Sequence, residues 1–175
     1  MKKLSFLFAL VALTFATSSV FAQFTQSQMV EEWQRAKAYT KEYLDAMPAD
    51  GYGFKPTPEI RSFAQQMLHL ANTNYFFASI GSGKSNPIGK TSLEQSVTPS
   101  KEATTKVVME SYDFVISTLQ EMTPEQAQQS VKFANKEFTR LGIFGKGFEH
   151  QTHHCGQTTV YLRLKGVTPP PEKLF

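Results

Sequence analysis

The chain has 175 residues, 18 basic and 15 acidic, with 15 phenylalanines, six tyrosines and a single cysteine. That material suits one domain with a single apolar core. The near balance of charge, with no stretch of Lys or Arg interleaved with aromatics, excludes a nucleic-acid partner, and one cysteine excludes an internal disulfide.

Lys2 and Lys3 precede an almost wholly apolar run over 4–15, and Val20-Phe21-Ala22 offers small residues at the two key positions of a cleavage site. That layout predicts a secretory signal peptide over 1–22. The apolar run is short for a span, and Thr14, Thr17, Ser18 and Ser19 interrupt its end, so no membrane-spanning segment is expected after cleavage. Cys155 is the only cysteine, so no lipid-anchoring cysteine follows the leader. The expected mature chain is a single domain over 23–175, periplasmic or secreted. Losing the leader removes two lysines and no acid, leaving 16 basic against 15 acidic residues, a net charge of +1. In an oxidising compartment the Cys155 thiol is expected to be buried rather than bridged.

Four helical segments follow. The first covers about 27–47, with Met29, Trp33, Ala36, Tyr43 and Met47 at helical steps. Pro48 and Asp50-Gly51-Tyr52-Gly53 end it, and Phe54-Lys55-Pro56-Thr57-Pro58 reads as extended. The second covers about 60–80, with Phe63, Ala64, Met67, Leu68, Ala71, Tyr75 and Phe76 as its apolar face. Residues 83–98 read as a polar loop. Gly81-Ser82-Gly83-Lys84-Ser85 follows a helix and lacks the leading glycine, which excludes a phosphate-binding loop. Thr98-Pro99 predicts the start of the third helix, running to about 122 with Val107, Val108, Phe114, Val115, Leu119 and Met122 buried. Thr123-Pro124 predicts a short helical turn through 129, and 131–139 is ambiguous between strand and loop. The fourth helix begins within 141–148 and ends at 165, capped by Gly166 before Pro169-Pro170-Pro171. Gly156, in mid-helix, predicts close approach of a neighbouring helix. Four amphipathic helices around one core make a four-helix bundle, an all-α fold.

The four histidines fall at His69 and at His150, His153 and His154. His150 and His154 are four apart, so a helix stacks both imidazoles on one face, a spacing that suits two ligands of one transition metal. His153 points about 100° away from His154, as a surface group or a support to a ligand. His69 lies alone on the second helix, facing inward beside Asn72 and Thr73. Two imidazoles on one helix favour zinc, nickel, copper or iron over magnesium or calcium. Spacing alone leaves open whether His69 is a ligand or an ordinary core residue.

The segment HQTHHCGQTTVYLRLKGVTPP over 150–170 resembles the closing helix of the DinB-like (DinB/YfiT) metalloenzyme superfamily. The segment FKPTPEIRSFAQQMLHLA over 54–71, with an aromatic and prolines before a helix and a closing His-Leu pair in the motif, is similar to that family's second helix. Together the resemblance spans about 27–170. It implies an up-down-down-up four-helix bundle whose three metal-binding histidines come from the second and last helices, here His69, His150 and His154. Cys155 departs from the pattern, where arginine is common.

The function implied is that of an exported protein binding a divalent transition metal (zinc, nickel or iron) through three histidines. It would act as a metal-dependent hydrolase or thiol-dependent transferase on a small-molecule substrate. A non-catalytic metal-binding or stress-response protein is the alternative, and a purely structural metal is a third reading. No catalytic residue is assigned. Glu149 and Gln157 flank the histidines, and are read as a surface carboxylate and a hydrogen bond within the bundle. Catalysis requires a cavity beside the metal, for which Tyr39, Tyr43 and Tyr112 are candidate linings. Related bundles often pair, which allows a homodimer, although the sequence carries no dimerisation signal of its own.

Overall fold

Capping chemistry sets where each helix begins. Residues 24–174 are described in the computed structural model, so the expected leader over 1–22 lies outside the described residues. Helix α1 (Gln26–Ala46) starts at Thr25, whose hydroxyl accepts from the Gln28 N–H while the Gln28 side chain accepts from the Thr25 N–H. This reciprocal box satisfies two of the donors that a helix start leaves orphaned. Helix α2 (Phe63–Ser82) starts with the same box at Ser62 and Gln65. It begins three residues later than the sequence suggests, because the N–H groups of Phe63 and Ala64 are drawn to the carbonyls of Phe54 and Tyr52.

The connection after α2 holds an unanticipated helical turn, α3 (Leu93–Ser96). Helix α4 (Lys101–Gln120) is capped by Ser100, whose hydroxyl accepts from the Ala103 N–H, and not by Thr98. Pro99 therefore lies outside the helix. Helix α5 (Pro124–Gln128) does begin at Thr123-Pro124, with a capping box to Gln126. The ambiguous stretch is a hairpin, β1 (Ser130–Phe133) paired antiparallel with β2 (Lys136–Thr139) in the register Val131↔Phe138. Its two turn residues, Ala134 and Asn135, have φ of 50° and 61°, the left-handed pair that a tight two-residue hairpin needs. Helix α6 (Arg140–Leu164) then runs unbroken through its glycines and closes at Gly166, where φ is 72°.

α1 packs on α4 and α6, and α2 packs on α4 and α6. The result is the expected up-down-down-up four-helix bundle. None of its helices among the described residues is long and apolar enough to cross a membrane. Trp33, Phe63, Tyr112 and Phe144 are fully buried, with Trp33 edge-on to Tyr112 and Phe148. Phe76, expected in the core, is 44% exposed and meets Phe77 and the hairpin's Phe133 instead.

Two glycines let α2 and α6 close on each other. A Cβ at Gly81 would lie 2.5 and 2.7 Å from ring carbons of Phe144, and one at Gly147 would lie 3.1 Å from the Phe77 Cβ. Gly156 differs from the sequence reading, since nothing lies within 4 Å of a Cβ placed there. These sites separate packing from helix propensity. Gly81→Ala should destabilise the fold by about 1–3 kcal/mol through overpacking, despite the gain in propensity. Gly156→Ala should stabilise it by about 0.5–1 kcal/mol. Thermal melts of the two variants, at roughly 2–4 °C per kcal/mol, should move in opposite directions. A shift of the same sign in both would contradict the packing described.

Candidate metal centre

Antiparallel packing of α2 on α6 places His69 opposite His150 and His154. The ring centroids of His69 lie 5.3 Å from His150 and 4.6 Å from His154, and those of His150 and His154 lie 4.3 Å apart. One ring nitrogen from each falls within 4.8 Å of the others, so the three form a group able to hold a metal ion. His153 is excluded from this group. Its ring is exposed and its Nε2 lies 2.9 Å from the Gln157 amide nitrogen.

The residues present fit a metal on two grounds. Burial first, then the neighbouring rings and Arg61, push His150 and His154 down to about 4, so both are neutral at physiological pH, the form that coordinates metal. In addition the Nδ1 of His150 is buried without a hydrogen-bond partner in the protein. Buried polar atoms seldom go unpaired, and ligation is one way to satisfy a ring nitrogen.

Polar side chains from three elements surround the cluster. The His69 Nδ1 is 2.8 Å from Glu94 Oε1 on α3, and Glu94 Oε2 accepts from Arg61 Nε at 2.7 Å. Burial raises the Glu94 carboxyl, but its bonds to Arg61 and His69 outweigh this and hold it below the usual range. The His154 Nδ1 is 2.9 Å from the Gln66 amide nitrogen, and Gln66 is hydrogen-bonded in turn to Gln157. The expected bundle hydrogen bond of Gln157 is therefore present, while Glu149 is an exposed carboxylate paired with Lys146.

Arg61, Glu94, Gln66, Gln157 and Tyr161 line a cavity of about 690 Å³ that no imidazole borders directly, its link to the cluster running through Gln66 at His154 and Glu94 at His69. Phe77, Phe133, Phe138 and His150 line a second crevice of about 610 Å³. The tyrosines proposed from the sequence do not contribute to either. Tyr39 and Tyr43 border a separate groove of about 640 Å³, where Gly156 and Arg163 also lie. Tyr112 is fully buried, bonded to Thr40 and Gln151. Sequence reasoning also missed Arg61, Gln66 and Glu94. Gln66 was accessible in principle, being three residues before His69 on the same helical face, whereas nothing in a polar loop marks Glu94.

The DinB family model matches residues 19–174. YjoA of Bacillus subtilis (strain 168) is 23% identical over 150 residues, covering 83% of this chain and 94% of that protein. Among solved structures, a DinB-like protein from Bacillus cereus ATCC 10987 superposes with a TM-score of 0.72 at 18% identity, covering 86% of this chain and all (100%) of that one. The B. subtilis YjoA structure gives a TM-score of 0.68 at 22% identity over 83% of this chain and 96% of that one. A conserved protein of Enterococcus faecalis gives 0.66 at 17% identity over 81% and 97%. At these identities the structural likeness speaks for the fold.

Cys155 follows a ligand candidate in sequence, but its side chain leaves α6 on a different face. Its side chain is buried, its sulfur lies 3.7 Å from the Thr40 hydroxyl, and burial pushes the thiol up to about 11. Since the thiolate is the reactive form, the folded chain should resist a chromogenic disulfide reagent at pH 8 and react faster as the pH rises toward 11. Unfolding in guanidinium should release one equivalent at once. Rapid stoichiometric labelling of the folded chain at pH 8 would show that the thiol is accessible after all.

Proposed function

The chain belongs to the DinB family, and on that premise we propose that it is an exported, metal-dependent enzyme acting on a small molecule by hydrolysis or thiol-dependent group transfer. One observation carries this reading: three imidazoles converge from two helices, and their neighbours Arg61, Glu94 and Gln66 border a cavity of about 690 Å³. His69, His150 and His154 would hold the ion. A site with three protein ligands keeps coordination positions open, whereas structural sites are usually closed, which favours a working centre over a pin between helices. When bound, the ion would acidify a water, polarise a substrate or stabilise a thiolate. The chain's own residues supply the rest. The cavity bordered by Arg61, Glu94 and Tyr161 would admit a substrate, and the crevice that His150 shares with Phe77, Phe133 and Phe138 offers a second, partly apolar approach.

A metal-binding protein without catalysis would use the same three ligands. The cavity favours catalysis, because ligand sites are concave and of this size. Export rests on the basic start, the apolar run and the small residues before residue 23. Zinc, nickel and iron all suit the donors, so reconstitution with each in turn tests the proposal. The untagged chain should take up one equivalent of at least one of them. His69→Ala and His150→Ala should fold yet retain far less than one equivalent. Free metal at about 100 times its Kd should raise wild-type stability by about 2.7 kcal/mol and leave these variants unmoved. A wild-type chain that takes up none of the three metals is not a metalloenzyme of this kind.

A further inference from the structure

Each of the three imidazoles has a different partner. His150 Nδ1 has none in the protein, His154 Nδ1 faces a neutral amide, and His69 Nδ1 faces a carboxylate. We propose that Glu94 is the positioning residue of the centre, fixing His69 in the tautomer that carries its proton on Nδ1 and keeps Nε2 free as a lone-pair donor. This rests on the metal-centre reading, and it assigns to α3 a role that its position in a polar loop gives no hint of.

Donor and acceptor chemistry decides the tautomer. An ionised carboxylate only accepts, so the 2.8 Å contact between Glu94 Oε1 and His69 Nδ1 needs a proton on that nitrogen. A guanidinium only donates, so Arg61 Nη2, 3.3 Å from the same Nδ1, is a close neighbour and not its hydrogen-bond partner. Arg61 is brought there by its Nε bond to Glu94 at 2.7 Å. A neutral imidazole with its proton on Nδ1 has Nε2 left to coordinate, and a carboxylate on the distal nitrogen raises the basicity of the ligand while fixing the ring.

Both supports of this arrangement are anchored to the helices that carry the histidines. The Leu93 N–H donates to Asn72 Oδ1 at 2.8 Å, so α3 hangs from α2 three residues beyond His69. The Arg61 carbonyl accepts from the Tyr161 hydroxyl on α6 at 2.7 Å. The Glu94 side chain is 22% exposed, dry enough for its two bonds to hold it in place. A four-residue turn without a side-chain cap of its own is thus tied down at the residue next to Glu94.

The test uses the purified chain and two variants, Glu94→Leu and Glu94→Gln, with circular dichroism to verify folding. Long-range ¹H–¹⁵N spectra of the metal-free protein read the His69 tautomer, and competition with a chromophoric chelator reads zinc affinity. Wild type should show His69 protonated on Nδ1. Glu94→Leu should shift His69 toward the Nε2-protonated form and weaken zinc about 10–100-fold. Glu94→Gln, which keeps an acceptor oxygen, should hold the tautomer and weaken zinc less. A Glu94→Leu chain with an unchanged His69 spectrum and unchanged zinc affinity overturns the proposal. A wild type that binds none of zinc, nickel and iron overturns the metal-centre reading instead, and the metal-free spectra still decide whether Glu94 sets the tautomer.

Discussion

The structure depends on how closely α2 and α6 approach. Their antiparallel seam can be followed residue by residue. The Gly81 carbonyl accepts from Arg140, the site of Gly81 is filled by the Phe144 ring, and Phe77 lies over Gly147. Further along, His69 meets His150 and His154, Gln66 meets Gln157, and the Arg61 carbonyl meets Tyr161. The glycines at one end of this seam allow backbone separations that a side chain would prevent. Farther along, where imidazoles and amides meet across the interface, the same approach brings three ring nitrogens within 4.8 Å. Spreading the helices by a methyl group at Gly81 would be felt along the whole seam, because packed interiors transmit strain rather than absorb it.

The composition of that seam changes partway along. From Gly81 to Phe77 it is apolar, as a helix interface in a bundle should be. From His69 to Gln66 it is polar, and partial burial together with the neighbouring rings disfavours the charged forms of His150 and His154. A sequence under selection for stability alone would place leucine there, since burying polar groups gains little and risks leaving them unpaired. The unpaired Nδ1 of His150 is that risk realised. Departures from local consistency of this sort concentrate where a protein trades stability for chemistry.

Much of this was legible in the sequence because it depends on neighbours in the chain. Thr123-Pro124 and Gly166 mark helix ends through contacts three to five residues long, and the spacing of Met29, Trp33, Ala36 and Tyr43 marks a buried face that the fold retains. The failures have equally local causes. Thr98-Pro99 and Ser100 both offer a start, and only the conformation shows that Ser100 makes the capping bond. Phe76 has the right spacing for the core but lies at the edge of α2's buried arc, where the hairpin covers it in part. Glu94 is of another kind. Its contact with His69 is set by the path of a loop and by Asn72 capturing one N–H, and no periodicity encodes such a path. The pairing of His69 with the other two histidines came from the family resemblance, since spacing alone does not relate residues on different helices.

α6 resolves the crowded stretch around the histidines into three rows. His150, His154, Gln157 and Tyr161 face α2. Gln151, Cys155, Thr158 and Leu162 are buried in the bundle, the first two also reaching the groove shared with Tyr39 and Tyr43. Thr152, Gly156, Thr159 and Arg163 border the groove shared with Tyr39 and Tyr43. At 100° per residue, adjacent positions must fall in different rows, so Cys155 is farther from the site chemically than its place beside His154 suggests. The same geometry explains Gly156. It belongs to the row that faces open space, so its missing side chain has nothing to do with the α2 seam, unlike that of Gly147. A cluster that reads as one motif in the sequence therefore serves three environments. Only the row bearing His150 and His154 has the neighbours, on α2 and α3, that a metal centre needs.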